Sequence, residues 1–234
     1  MNQKGRKRVG LIVPSTNTVM EPDLYRHLPS EVTIHTARMM LRGGVTIEAE
    51  ERMLDEYLPK AAQEISTLRP HLVVFGCTSA GALRGPSHEK EMLQGLSGTT
   101  GAPVISIMGA VEAQLRRLGA RSVAVLTPYS AEVNETIRRS LEALGFQVVH
   151  IRGMDVPEAF RIADIAADQI VEYAREQMKG VEADCLFISC ANLRALEAIG
   201  PIQKALGMPV VTSIQAVLEE VRKALDLQAP ALAH

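Results

Sequence analysis

The sequence predicts an α/β protein built as two pseudo-symmetric domains, each with a four-stranded parallel sheet flanked by helices and with the active site in the interdomain cleft. Three observations lead there. Short β-branched runs alternate with amphipathic stretches, the pattern of βαβ units. Three blocks of the first half recur, in the same order, in the second. The chemically useful residues of those blocks follow predicted strands, where open parallel sheets bind ligands.

Along the chain, strands are expected at Arg8–Val13, Val32–Thr36, Leu72–Phe75, Val104–Ile107, Val123–Thr127, Gln147–Ile151, Cys185–Ser189 and Val210–Ser213. Helices fall between them, among others at Ile47–Leu68, Ala110–Leu118, Ala131–Leu144, Ala159–Met178 and Ile214–Leu225. Gly119, Gly145 and Gly207 stand where helices should stop, as C-terminal caps do.

The duplication is explicit. RVGLIVPSTNTVMEPDL matches SVAVLTPYSAEVNETI, HLVVFGCTSAGALR matches DCLFISCANLRALE, and GAPVISIMGAVEAQLRRLGA matches GMPVVTSIQAVLEEVRKALDL. Pro128 follows Pro14 by 114 positions, Cys190 follows Cys77 by 113, and Pro209 follows Pro103 by 106. Offsets this steady indicate an internal repeat. The last helix corresponds to Ala110–Leu118 and should pack back on the first half. The expected domains are residues 1–110 plus 215–234 and residues 111–214. Each would be flavodoxin-like.

Composition narrows the chemistry. With 234 residues and 47% hydrophobic content, the chain can bury a real core. A net charge of -2 lacks the footprint of a nucleic-acid partner. No run reaches the ~18 apolar residues of a membrane span. The basic start, Lys4, Arg6, Lys7 and Arg8, precedes an apolar run too short for a signal peptide, so a cytoplasmic protein is expected. Aromatic residues make up 3% with no Trp, which argues against stacking platforms or a flavin pocket and suits a small anionic ligand. Three cysteines without CxxC, and six scattered His, point to neither a disulfide framework nor a metal site.

Cys77 and Cys190 are the expected reactive pair, since each follows a strand and precedes a segment able to open a helix. A helix N-terminus lowers a thiol pKa. Cys185, at a strand start, reads as a small hydrophobe. The Pro14-Ser15-Thr16-Asn17-Thr18 turn combines capping residues with free N–H groups that suit a carboxylate. Thr78 and Ser79 offer hydroxyls beside Cys77. Tyr129 and Ser130 take the mirrored place after Pro128. Asn134 reads equally as a ligand contact or a surface residue. Ala191 counts among the substrate-binding positions, and Asn192 as a cap first and a contact second. Met39, Met40 and Met53 are expected in the core, His35, His88 and His150 in structural or exposed positions, and Glu48–Lys60 on a solvated helix face.

GLIVPSTNT, GCTSAG, TPYSAEVNE and ISCANLRALEAI together resemble the aspartate/glutamate racemase superfamily, within it the maleate cis-trans isomerase and arylmalonate decarboxylase branch. The resemblance spans nearly the whole chain. It implies chemistry beside a carboxylate with no cofactor, acting on a small carboxylate, with a homodimer expected. By resemblance, Cys77 attacks the double bond of a maleate-like diacid and Cys190 handles the proton. Asn17, Thr78, Ser79, Tyr129 and Asn134 would hold carboxylates. Arylmalonate decarboxylases have Gly where Cys77 stands, which points away from decarboxylation. A thiolate suits conjugate addition, and paired thiols also suit proton exchange at a carbon acid. A racemase, a decarboxylase, an ectoine-utilisation protein and a non-catalytic carboxylate binder are the alternatives.

Overall fold

Strand β1 (Lys7–Pro14) is buried from Val9 to Pro14 on both faces, as the middle strand of a parallel sheet between helical layers must be. It belongs to a computed structural model that describes residues 5–227. Lys4 and the stretch 228–234 of the predicted first domain lie outside those residues.

After β1 come α1 (Met20–His27), β2 (Val32–Met39), α2 (Ile47–Arg52), α3 (Leu58–Ser66), β3 (Leu72–Phe75), α4 (Thr78–Leu83), α5 (Gly85–Thr100), β4 (Val104–Ser106) and α6 (Ile107–Arg117). The second half runs β5 (Ser122–Thr127), α7 (Ala131–Ala143), β6 (Gln147–Gly153), α8 (Ala167–Gln177), β7 (Cys185–Ile188), α9 (Ile199–Leu206), β8 (Val210–Thr212) and α10 (Ser213–Ala224). The sheets have orders β2-β1-β3-β4 and β6-β5-β7-β8, every pairing parallel. The repeat is therefore physical: Val9 pairs with Leu72 as Val123 pairs with Cys185. Cys185, fully buried, fills the place that Leu72 fills in the first sheet. Gly207 ends α9 in the left-handed region at φ 66°, as its place in the sequence suggests.

One apolar cluster runs from Val9, Leu11 and Val13 through Val111 of α6 and Val217 of α10 to Val123 and Val125. A second covers the other face of the first sheet, with Ile12, Met53, Ile65 and Phe75. The helix after Ser213 lies against α6, where Arg117 pairs with Glu219 and Glu220 at 3.3 and 2.8 Å. It also reaches α1, where Arg222 Nη2 donates to the His27 carbonyl at 2.5 Å.

Three local expectations need correction. Ile47–Leu68 is not one continuous α-helix: a π turn at Met53–Tyr57 separates α2 from α3. Pro59 has no N–H and its ring crowds the preceding turn, and the wider turn accommodates it. The Ala159–Met178 stretch is a 3-10 turn, Ala159–Asp164, followed by α8. The chain is extended at Ile165–Ala166, and the Gln169 side chain accepts the Ala166 N–H at 2.9 Å. Met40 is 41% exposed rather than in the core, while Met39 and Met53 are buried.

Candidate active site

Both thiols sit where strands end, but the backbone treats them differently. Cys77 is extended at φ -133° and passes directly into α4, burying Thr78 and Ser79 in its first turn. Cys190 follows β7 at φ +125°, a region L-residues rarely occupy. The expected helix does not open there; a turn intervenes before α9. Two bonds hold that conformation: Cys190 N–H donates to Ser213 Oγ at 3.0 Å, and Asn192 N–H donates to the Cys190 sulfur at 3.3 Å. The same Ser213 hydroxyl hydrogen-bonds Thr78 Oγ1 at 3.0 Å, tying one cysteine wall to the other.

Cys77 and Cys190 line a single cavity of about 350 Å³, the space open to solvent included. Asn17, Thr78, Ser79, Tyr129 and Ala191 line it with them. Two asparagines lace the halves together there. Asn17 accepts the N–H groups of Val19 and Met20 at 3.1 and 3.0 Å and donates to the Ala191 carbonyl at 3.0 Å. Asn192 accepts Thr18 N–H at 2.9 Å and donates to the Ala159 carbonyl at 3.0 Å. These partners cap chain turns that would otherwise leave buried N–H groups unpaired.

Ser130 and Asn134 lie outside the cavity wall. Ser130 Oγ caps α7, accepting Val133 N–H at 3.4 Å. Asn134 Oδ1 accepts from Thr127 Oγ1 at 2.6 Å, and Thr127 Oγ1 in turn accepts Tyr129 N–H at 2.9 Å. The pair thus fixes the Pro128–Tyr129 turn from behind. Gly153 of β6 closes over it, since a Cβ there would stand 1.9 Å from the Tyr129 carbonyl oxygen.

The residue that sequence reasoning missed is Glu50. Glu48–Lys60 is not simply a solvated face: Glu50 is completely buried and lines the cavity. Its Oε1 accepts hydrogen bonds from Ser79 Oγ and, at 3.8 Å, from Cys77 Sγ. Glu50, Met53 and Leu54 share one helical stripe, and that spacing was the available signal. Ser213, which bonds Cys190 and Thr78, was also missed, as were the cavity-lining Leu41 and Val45 from a loop and Ile162 from the 3-10 turn.

The electrostatics reverse the expectation of thiols activated by helix ends. Burial, then the Glu50 charge, pushes Cys77 well above the usual thiol range, with the Ala80 N–H and Ser79 hydroxyl opposing. Burial pushes Cys190 up to about 11, against the Tyr129 hydroxyl and the Asn192 N–H. Glu50 is pushed up to about 7, again first by burial. Tyr129 is raised well above its ordinary value by burial and by the two thiols. Among the described residues no Arg, Lys or His lines the cavity, so hydrogen-bond donors oppose the desolvation without help from a positive charge. Nor does any group of three His, Cys, Asp or Glu among them have a metal-holding arrangement.

Twin parallel sheets with a thiol from each at one shared cavity define the class: the chain belongs to the arylmalonate decarboxylase family, matching it over residues 9–234. Within reach of that family, it is 30% identical to the maleate isomerase of Geobacillus stearothermophilus, over 94% of this chain and 92% of that protein. Two solved structures are similar throughout. A cysteine-to-alanine variant of the Pseudomonas putida S16 maleate isomerase, with maleate, has a TM-score of 0.88 at 26% identity, covering 94% of this chain and 92% of that one. A cysteine-to-serine variant of the Nocardia farcinica maleate cis-trans isomerase, carrying a covalently bound succinylcysteine intermediate, has a TM-score of 0.86 at 26% identity, covering 95% and 94%.

Proposed function

We infer that this chain is a cofactor-independent maleate cis-trans isomerase acting on a small dicarboxylate through a cysteine pair. The observation that carries it is one cavity with a buried thiol from each half of a duplicated fold. The succinylcysteine of the Nocardia relative supports addition of a thiol to a four-carbon diacid. In the reaction, the Cys77 sulfur gives up its proton and adds to one alkene carbon with the freed S–H electron pair, and the π pair moves to the neighbouring carbon, which takes the Cys190 proton. The former double bond is then single and rotates. Cys190 thiolate removes a proton from that carbon, the alkene re-forms, and the Cys77–carbon bond breaks.

Neutral donors receive the carboxylates in this scheme: Asn17, the Thr78 and Ser79 hydroxyls, the Tyr129 phenol and the Ala191 backbone. Ser130 and Asn134 act through the Tyr129 turn that they shape. The division into 1–110 plus 215–234 and 111–214 is supported by α10, which packs on α1, β3 and β4 of the first half. The same reading assigns a homodimer working in the cytoplasm, to be checked by light scattering and cell fractionation. No described helix is long and apolar enough to cross a membrane.

Proton NMR of maleate incubated with the protein should show fumarate. Cys77→Ser and Cys190→Ser should each abolish it. Full turnover in both variants refutes the paired-thiol scheme. Deuterium entering the α-carbon of an amino acid instead would identify a racemase, and carbon dioxide from an arylmalonate a decarboxylase.

A further inference from the structure

A thiol buried without a cation does not ionise readily, and Cys77 is the thiol that must become the nucleophile. Its sulfur has two side-chain neighbours within hydrogen-bonding reach, Ser79 Oγ and Glu50 Oε1, both at 3.8 Å. A serine hydroxyl is no base near neutrality. Glu50 is a carboxylate with no exposed surface, and its second oxygen, Oε2, is buried without a hydrogen-bond partner. The groups that face it are Cys77 and Ser79 on α4, Glu51 on its own helix, and Cys190 and Tyr129 across the cavity. None of these is a cation. Stability alone gives no reason for an unpaired acid at this spot.

We propose that Glu50 is the proton partner of Cys77, taking the thiol proton as the sulfur adds to the substrate and returning it when the sulfur leaves. The proposal rests on the isomerase reading for its substrate, but its chemistry applies to any electrophile that Cys77 attacks. The Cys77 S–H bond breaks, its proton passes to a Glu50 oxygen, and the S–H electron pair forms the new sulfur–carbon bond. The alkene pair collects the Cys190 proton. On elimination Cys190 thiolate recovers a proton from carbon, the sulfur–carbon pair returns to Cys77, and Glu50 gives its proton back. No atom or charge is left over.

The scheme requires Glu50 to be ionised before addition. Activity should therefore fall on the acid side with an apparent pKa near 7 that belongs to the Glu50–Cys77 pair. Glu50→Gln keeps the shape and an acceptor for Ser79 but cannot take a proton.

The experiment is the pH profile of Cys77 alkylation by iodoacetamide, followed on the Cys77 peptide by mass spectrometry, beside the profile of fumarate formation. Wild-type alkylation should rise through about pH 7 and level off. Glu50→Gln should react on the order of a hundredfold or more slowly at pH 7.5 and keep rising beyond pH 9. Glu50→Asp, with its carboxylate drawn back by one methylene, should fall between the two. A wild-type profile that rises only above pH 9, or Glu50→Gln alkylating as fast as wild type, overturns the proposal; the first outcome needs no folded variant. If wild type makes no fumarate while the alkylation profile still depends on Glu50, the substrate reading has failed and the proton partnership stands.

Discussion

Two walls of one cavity carry the same residue at the equivalent place in two matching sheets, and their chemistry differs. On the first wall Cys77 has extended backbone, opens a helix and touches a buried carboxylate. On the second, Cys190 sits at positive φ before a turn and receives donors, the Asn192 N–H and the Tyr129 hydroxyl. Duplication placed the two sulfurs; non-repeated neighbours set their proton affinities. The thiol assigned to addition is the one held further from ionisation, because the Glu50 charge adds to its burial. In the proposed scheme addition at Cys77 thus needs a base, whereas Cys190, surrounded by donors, is suited to release and recover a proton.

The largest effect expected is loss of turnover, by a thousandfold or so, in both cysteine-to-serine variants. They should nonetheless be distinguishable. Cys190→Ser should accumulate one substrate mass on the Cys77 peptide in intact-mass analysis, and Cys77→Ser should show none. An adduct on Cys190 in the Cys77→Ser protein would reverse the two roles.

A second test reads stability. Glu50 titrates near 7 folded against an ordinary 4.5, so between those values the folded state holds more protons than the unfolded one. Stability should therefore fall as pH rises from about 4.5 to 7, by roughly 2–4 kcal/mol from this group. Urea unfolding at several pH values should show a flatter profile for Glu50→Gln. Glu89, also pushed up to about 7 by burial, slopes the same way in both proteins, so the difference between them is the measurement. Equal slopes would mean that Glu50 does not carry the raised pKa.

The smallest effect concerns the backbone. At φ +125°, Cys190→Gly should be about 1 kcal/mol more stable than Cys190→Ala, because glycine has no Cβ to strain. At Cys77, with φ -133°, a Cβ meets no such backbone strain and the preference should shrink. Thermal melts of the four variants would show it, and an equal preference at both sites would erase the asymmetry.

Much of the architecture was legible because it is written in local period and in repetition. The eight strands follow β-branched runs, with ends displaced by at most three residues: β3 coincides with Leu72–Phe75, and the largest difference is at β2, which continues to Met39. The broken helices were less legible: a π turn before Pro59 and an extended pair at Ile165–Ala166 preserve the apolar spacing that suggests continuity. Among the site residues, Asn17 and Tyr129 lie within three residues of a strand end and reach the cavity. Ser130 and Asn134 share the same turn, yet their side chains point to backbone and Thr127. Helix phase decides that, and motif proximity does not reveal it.

By itself, then, the sequence determined the parallel α/β fold, its duplication and the position of a thiol at the end of each third strand. Those properties depend on residue spacing along the chain. Tertiary structure decided the chemical state of the thiols. Glu50 and Cys77 are 27 positions apart, and Ser213 reaches Cys190 from 23 positions away. Burial and charge act through space on groups the chain order separates, so a residue spelled like part of a solvated helix becomes the acid beside Cys77.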